Sequence, residues 1–251
     1  MWPFKKKLEH QIYFACDEWA IRQHAPIRPA SEFLPPAFKE MALYYKKSAK
    51  PIDSDKTVKS CPGIIDYCST GFVIPAWCDI EIEPGPNGRV VTRYSHSKYK
   101  EGAQPKDALQ GFMGNKFKFG TPVKLDNPWT VWAAKGYSLF WQPMYYYDDT
   151  RNWEAIPGII DHDKVPLVQP INIMLKQPKT TIIKMGEPLV QVIPLKREEI
   201  VAFSGELNQN MIKRHNSLSY LKEMTFTSWV RYIREKKSYT VDVHDIELPI
   251  K

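Results

Sequence analysis

The chain has 251 residues, a formal net charge of +7 and a hydrophobic fraction of 43%. That apolar content can form a core and, with 25% charged residues, excludes a wholly disordered chain. Proline outnumbers glycine by 21 to 12 and aromatics reach 13%, a balance that favours short strands, edges and turns over long helices.

The lysines and arginines are scattered, with Lys5-Lys6-Lys7 as the longest cluster. A nucleic-acid footprint would gather them on one element, so the excess reads first as solubility. The start, Met1 to Leu8, carries no apolar leader core, and no run approaches the roughly 18 apolar residues of a membrane span. A chain that is neither secreted nor membrane-embedded is expected. The four cysteines (Cys16, Cys61, Cys68 and Cys78) form no CxxC pair and read as reduced thiols.

Residues 1–60 read as an N-terminal arm with short helices over Asp17–Gln23 and Pro36–Lys46. In the second, Phe38, Met41, Ala42 and Tyr45 fall on one helical face. Residues 50–59 read as a polar linker. From Gly71 the period changes to two: Phe72–Pro75 and Trp77–Ile82 alternate like strands, a Pro-Gly-Pro-Asn-Gly turn follows, and Arg89–Tyr94 is the next strand, read as a hairpin partner ahead of the alternative of two sheet edges. Residues 95–120 are polar and read as an exposed loop or a pocket lid. Further strands are expected at Pro122–Leu125, Trp129–Ala133, Tyr137–Gln142, Ile156–Ile160, Val168–Met174, Thr180–Lys184 and Leu189–Leu195. Strands this short, divided by Pro and Gly, predict an antiparallel sandwich or barrel over residues 61–200. In residues 201–251 a helix with an apolar face of Leu218, Leu221, Met224, Trp229 and Ile233 is expected, then a β-rich tail over Tyr239–Ile250.

The pentapeptide Pro-Gly-Ile-Ile-Asp occurs twice, at 62–66 and 157–161. The first leads through Tyr67-Cys68 into a strand and reads as a helical turn or loop, with Asp66 as a cap or turn residue. The second ends in Asp161-His162-Asp163 and is followed by Gly186-Glu187-Pro188-Leu189-Val190-Gln191. Together with Lys135-Gly136-Tyr137 and Pro143 upstream, that order resembles the dUTPase and dCTP deaminase superfamily. Gly158 to Asp163 matches its middle motif and Gly186 to Ile193 its last strand motif, with Gln191 at the glutamine. The likeness covers roughly 60 residues.

The resemblance implies a β-clip-like fold, a homotrimer with sites between subunits, and a nucleotide ligand. It implies that Asp161 positions or activates water or contacts the deoxyribose, and that Mg²⁺ accompanies a bound nucleotide. The departures are equally specific. Gln142-Pro143-Met144-Tyr145-Tyr146-Tyr147 stands where the family has an Arg-Ser-Gly turn. Lys164-Val165 replaces its stacking tyrosine and arginine, and its glycine-rich closing motif is absent. The scaffold reads as retained and the triphosphatase chemistry as lost or rebuilt. Wider stretches, Cys61 to Ile82, Gly136 to Ser138 and Gly186 to Pro194, resemble a tailed-phage protein family of no settled activity, which implies a host-cytoplasmic or virion setting.

Three functions are therefore expected in turn. The first is a diverged nucleotide-binding protein whose site includes Asp161, Asp163, Gln191, Tyr145, Tyr146 and Trp153. The second is a phage capsid-surface or tail component that uses the β scaffold to assemble with itself or other phage proteins. The third is a metal-dependent hydrolase built on Asp161, His162 and Asp163. Each residue has a plainer role too: the Asp-His-Asp segment as a polar turn, His162 as a surface histidine, Gln191 as an internally bonded amide, and the Tyr145–Tyr147 and Trp141 cluster as an interface. Arg93, His96 and Lys98 could meet an anion or remain solvated.

Overall fold

The computed structural model describes residues 12–45, 56–85, 90–99, 122–148, 150–165 and 168–201, with short pieces at 203–204, 209, 212–213, 216 and 248–249. The chain divides into two compact units: Met1–Lys39 with Tyr67–Arg197, and Glu40–Asp66 with Glu198–Lys251.

The elements of the first unit run β1 (Ile12–Ala15), α1 (Trp19–His24), β2 (Arg28–Pro29), α2 (Pro36–Glu40), α3 (Pro62–Ser69), β3 (Phe72–Pro75), β4 (Ile80–Pro84) and β5 (Val90–Tyr94). They continue with β6 (Val123–Leu125), β7 (Thr130–Ala133), β8 (Tyr137–Gln142), β9 (Trp153–Ala155), β10 (Gly158–Ile160), β11 (Ile171–Leu175), β12 (Thr181–Ile183) and β13 (Pro188–Lys196). The last residues of α2 and the first of α3 pass into the second unit. All strand pairs are antiparallel.

The largest sheet has the order β10-β8-β13-β3-β2, and smaller ones run β6-β11-β9, β12-β4-β5 and β1-β7. Among the described residues these sheets form no closed barrel; the fold is mainly β and antiparallel. The expected hairpin is present, with Ile80 opposite Tyr94 and Pro84 opposite Val90. Alternation explains the outer strands: in β4 and β5 Ile80, Ile82, Val90 and Thr92 point inward while Glu81 and Arg93 point out. β13 is different, because it lies between β8 and β3 with Pro188 to Val192 all buried. A strand covered on both faces reads as a continuous apolar run. One face of it enters the main core with Ile74, Trp141, Val190 and Val192. The other meets a smaller cluster of Ala30, Phe33, Val73, Met144 and Tyr147.

Gly71 stands where α3 gives way to β3. Its φ is +78°, and a Cβ there would lie 2.2 Å from the Val192 carbonyl oxygen. Only glycine permits that approach of two backbones.

Several expectations change. The helix over 36–46 stops at Glu40, and Met41 to Tyr45 turn away: Thr57 N–H donates to Leu43 O at 2.9 Å and Tyr44 bridges Lys56. Tertiary backbone partners here outbid a weak local propensity. The first Pro-Gly-Ile-Ile-Asp is a full part of α3, with Asp66 inside the helix rather than at its cap. The expected strand at 156–160 shortens to β10 from Gly158, and β9, which ends before Ile156, is a strand beyond those expected. In the second unit β14 (Phe203–Ser204) pairs with β15 (Leu248–Pro249). The helix over 218–237, the loop over 95–120 beyond residue 99 and most of the tail lie outside the described residues. Among the described residues no helix is long and apolar enough to cross a membrane.

Candidate functional site

Strand register builds one cluster. Ile160 lies opposite Leu139, so the next residue, Asp161, falls opposite Ser138. On the other side of β8, Leu195 lies opposite Ser138 and Lys196 opposite Tyr137, and the Arg197 N–H then donates to Gly136 O at 2.7 Å. Period two puts Asp161, Ser138 and Arg197 on one face at the entry to β8.

The contacts there are dense. The Ser138 hydroxyl donates to Asp161 Oδ1 at 2.7 Å and Lys164 Nζ to Asp161 Oδ2 at 3.1 Å. Arg197 Nη1 forms an ion pair with Asp161 Oδ1 at 2.9 Å and donates to Ser138 Oγ at 3.1 Å. Arg197 Nη2 pairs with Asp163 Oδ2, which also accepts from Gly136 N–H at 2.9 Å. Gly136 holds φ +84° in the turn before β8, which aims that amide at the carboxylate.

These donors favour the charged carboxylates. The Ser138 hydroxyl, then Lys164 and Arg197, hold Asp161 down to about 2, and Arg197 and the Gly136 amide hold Asp163 low. A carboxylate so committed is a poor general base. Asp161 and Asp163 do share a partner, as an extended Asp-x-Asp would require, but they do so across a turn over 162–164.

His162 is not the surface residue that its neighbours suggest. Its ring is 0% exposed and lies 5.6 Å from the Trp141 ring, and burial pushes its pKa down. It therefore cannot join the two aspartates in a ligand set. Among the described residues no three His, Cys, Asp or Glu side chains converge on a possible ion. The carboxylates do not fit Mg²⁺ on their own, since both are engaged by Arg197.

Gln191 is 1% exposed, and its polar atoms are used internally. Nε2 donates to Tyr67 O at 2.9 Å and Thr70 O at 2.6 Å, while Oε1 accepts from Gln142 Nε2 at 3.3 Å. Both amide hydrogens tie β13 to the end of α3.

The aromatic residues gather at the exit of β8, five residues and about 16 Å along the strand from Ser138 at roughly 3.3 Å per residue. There a cavity of about 320 Å³ is lined by Pro143, Tyr145, Asp148, Arg151, Trp153 and Lys176 among others. Tyr145 is 70% exposed and meets the Tyr146 ring edge-on at 5.0 Å. Trp153 is buried at 4% and does not offer a free ring. Arg151 lies between the Tyr147 ring, at 4.4 Å, and the Trp153 ring, at 4.7 Å. The six residues expected as one site are thus divided: Asp161 and Asp163 at one end of β8, Tyr145, Tyr146 and Trp153 at the other, and Gln191 inside the sheet.

Sequence reasoning missed Ser138, Arg151, Lys176 and Arg197. Arg197 carried no pattern of its own, since β13 reads as a continuous apolar run; only the strand's register places it in phase with Gln191, Ile193 and Leu195. Arg151 carried none, since its place depends on Glu187 and Pro188 far along the chain. Arg93, His96 and Lys98, expected to meet an anion or remain solvated, are paired: Arg93 with Glu81 and Glu83, and His96 and Lys98 with Glu18. Cys16, Cys68 and Cys78 are buried, and burial pushes their thiols up, which leaves them inert. No protein-family model matches the chain, and no curated protein is significantly similar to it.

Proposed function

We propose that the protein binds a nucleotide-class ligand without hydrolysing it, as a diverged, phage-type relative of the dUTPase and dCTP deaminase superfamily on a β-clip-like scaffold. The observation that carries this reading is the cavity at the exit of β8, where an exposed tyrosine ring stands beside an arginine and a lysine. Rings stack on tyrosine and cations meet phosphate oxygens. The Gly158–Asp163 and Gly186–Gln191 motifs support it further, since both belong to strands that flank β8. The loss of hydrolysis is supported by Asp161, whose carboxylate is engaged by Ser138, Lys164 and Arg197.

Titration calorimetry of the full chain against the deoxynucleotides and cyclic signalling nucleotides tests this. Heat of binding with no phosphate release in Mg²⁺ is the expected result. Silence at millimolar ligand would sink the reading. A virion part remains the second reading, favoured by a groove of about 620 Å³ between Pro36, Ala37 and the exposed Tyr145 and Tyr146. Such a part would give no heat with any nucleotide.

A further inference from the structure

We infer that the cavity at the exit of β8 takes a ligand bearing one phosphate-type oxyanion on a planar ring, a nucleoside monophosphate in class, and discriminates against the triphosphate, with Arg151 as the anchor. The inference rests on the nucleotide-binding reading and deepens it.

Arg151 is built in rather than draped over the surface. Its side chain is only 8% exposed and is gripped by the Tyr147 and Trp153 rings. Nη1 donates to Pro188 O at 2.9 Å. Nε lies 3.1 Å from Glu187 Oε1, an ion-pair contact outside hydrogen-bond geometry. Nη2 is buried without any partner. A buried guanidinium donor left open is costly. The side chain lines the cavity while Nη2 itself is closed to solvent, so an entering oxyanion reaches that donor only by displacing its cover. The held rotamer means that little further entropy is lost when an acceptor arrives.

The charge balance decides how much anion fits. Arg151 and Lys176 line the cavity, but so do Asp148 and Glu154, and Glu187 pairs with Arg151 from behind. The lining is formally neutral before Glu187 is counted. A polyanion would gain nothing from the average field and would meet two or three carboxylates. One directed hydrogen bond from Nη2, helped by Lys176, suits a single oxyanion. The volume of about 320 Å³ points the same way, because it sits at the small end of the range of roughly 300–1,000 Å³ for ligand sites. Tyr145, at the mouth, is the platform for the ring.

The test is calorimetry of the full chain with inorganic phosphate and with the four deoxynucleosides, their monophosphates and their triphosphates. At least one monophosphate is expected to bind more tightly than both its nucleoside and its triphosphate. Arg151→Lys keeps the charge but removes the open Nη2, and should weaken that monophosphate by about tenfold. Lys176→Gln changes an exposed side chain, so it guards against a folding defect, and should weaken binding in the same direction. Triphosphate binding as tight as monophosphate overturns the inference and leaves the nucleotide reading intact. So does wild-type affinity in both variants. Arginine-dependent binding of inorganic phosphate alone overturns the nucleotide reading, and no binding of any probe overturns both.

Discussion

Asp161 accepts from Ser138, Lys164 and Arg197 at once, and each donor favours its ionised form. Its pKa falls from an ordinary 3.8 to about 2, and that of Asp163 falls in the same direction. The folded chain therefore binds these protons more weakly than the unfolded chain does. The stabilisation is complete above the ordinary value and drains away as pH falls through about 2. The midpoint of urea unfolding should drop as pH is lowered across that window. Asp161→Asn should start lower at neutral pH and drop less. Equal drops in the two proteins would mean that the cluster does not couple protons to folding. Arg197 needs a separate remark, because nothing in its neighbours, Lys196 and Glu198, singles it out. It matters because β13 keeps its phase for the whole run from Gln191, and because Gly136 turns an amide toward Asp163.

Strands were more readable than the contacts that bind them. β3, the β4–β5 hairpin, β8 and β13 follow from alternation or from apolar runs, because half-buried and fully buried strands write those patterns into sequence. α2 was read too long, because helical spacing cannot see that Leu43 and Tyr44 find backbone partners in Thr57 and Lys56. β9 was missed, since Trp153 and Ala155 enclose a glutamate in a run of only three residues, cut off by Asn152 before it and Pro157 soon after. The repeated Pro-Gly-Ile-Ile-Asp is the sharpest case. The same five residues form helix at 62–66, while at 157–161 their centre forms strand β10. Only the partners differ: at 158–160 β8 supplies a ladder, with Ile159 opposite Phe140. Gln191 joins the end of α3 to the sheet, and its two amide hydrogens satisfy Tyr67 O and Thr70 O. Gln191→Leu keeps the volume but strands those carbonyls and the Gln142 amide. A loss of about 2–4 kcal/mol in chemical denaturation is expected. A change within about 0.5 kcal/mol would show that water replaces the amide.

Across the whole first unit, β8 acts as a spacer. Its entry carries the charged cluster of Asp161, Asp163, Ser138 and Arg197, and its exit carries the cavity with the exposed tyrosine and the half-satisfied arginine. In one chain these lie about 16 Å apart, beyond the roughly 8–10 Å over which charge acts in physiological salt. Two arrangements follow. If the cavity alone holds the ligand, Asp161 is a brace, and a single chain is a sufficient binding unit. If Asp161 is part of the site, a second copy must carry its cluster to the cavity, as a trimer with sites between subunits would. The engaged state of Asp161 favours the first arrangement. Asp161→Asn should therefore leave nucleotide affinity within about twofold of wild type, with screening across that distance as the reason. The same variant should leave the sedimentation coefficient unchanged. A large loss of affinity, together with a mass near three chains for the wild type, would favour the shared site instead. It would return Asp161 from the frame of the protein to its chemistry.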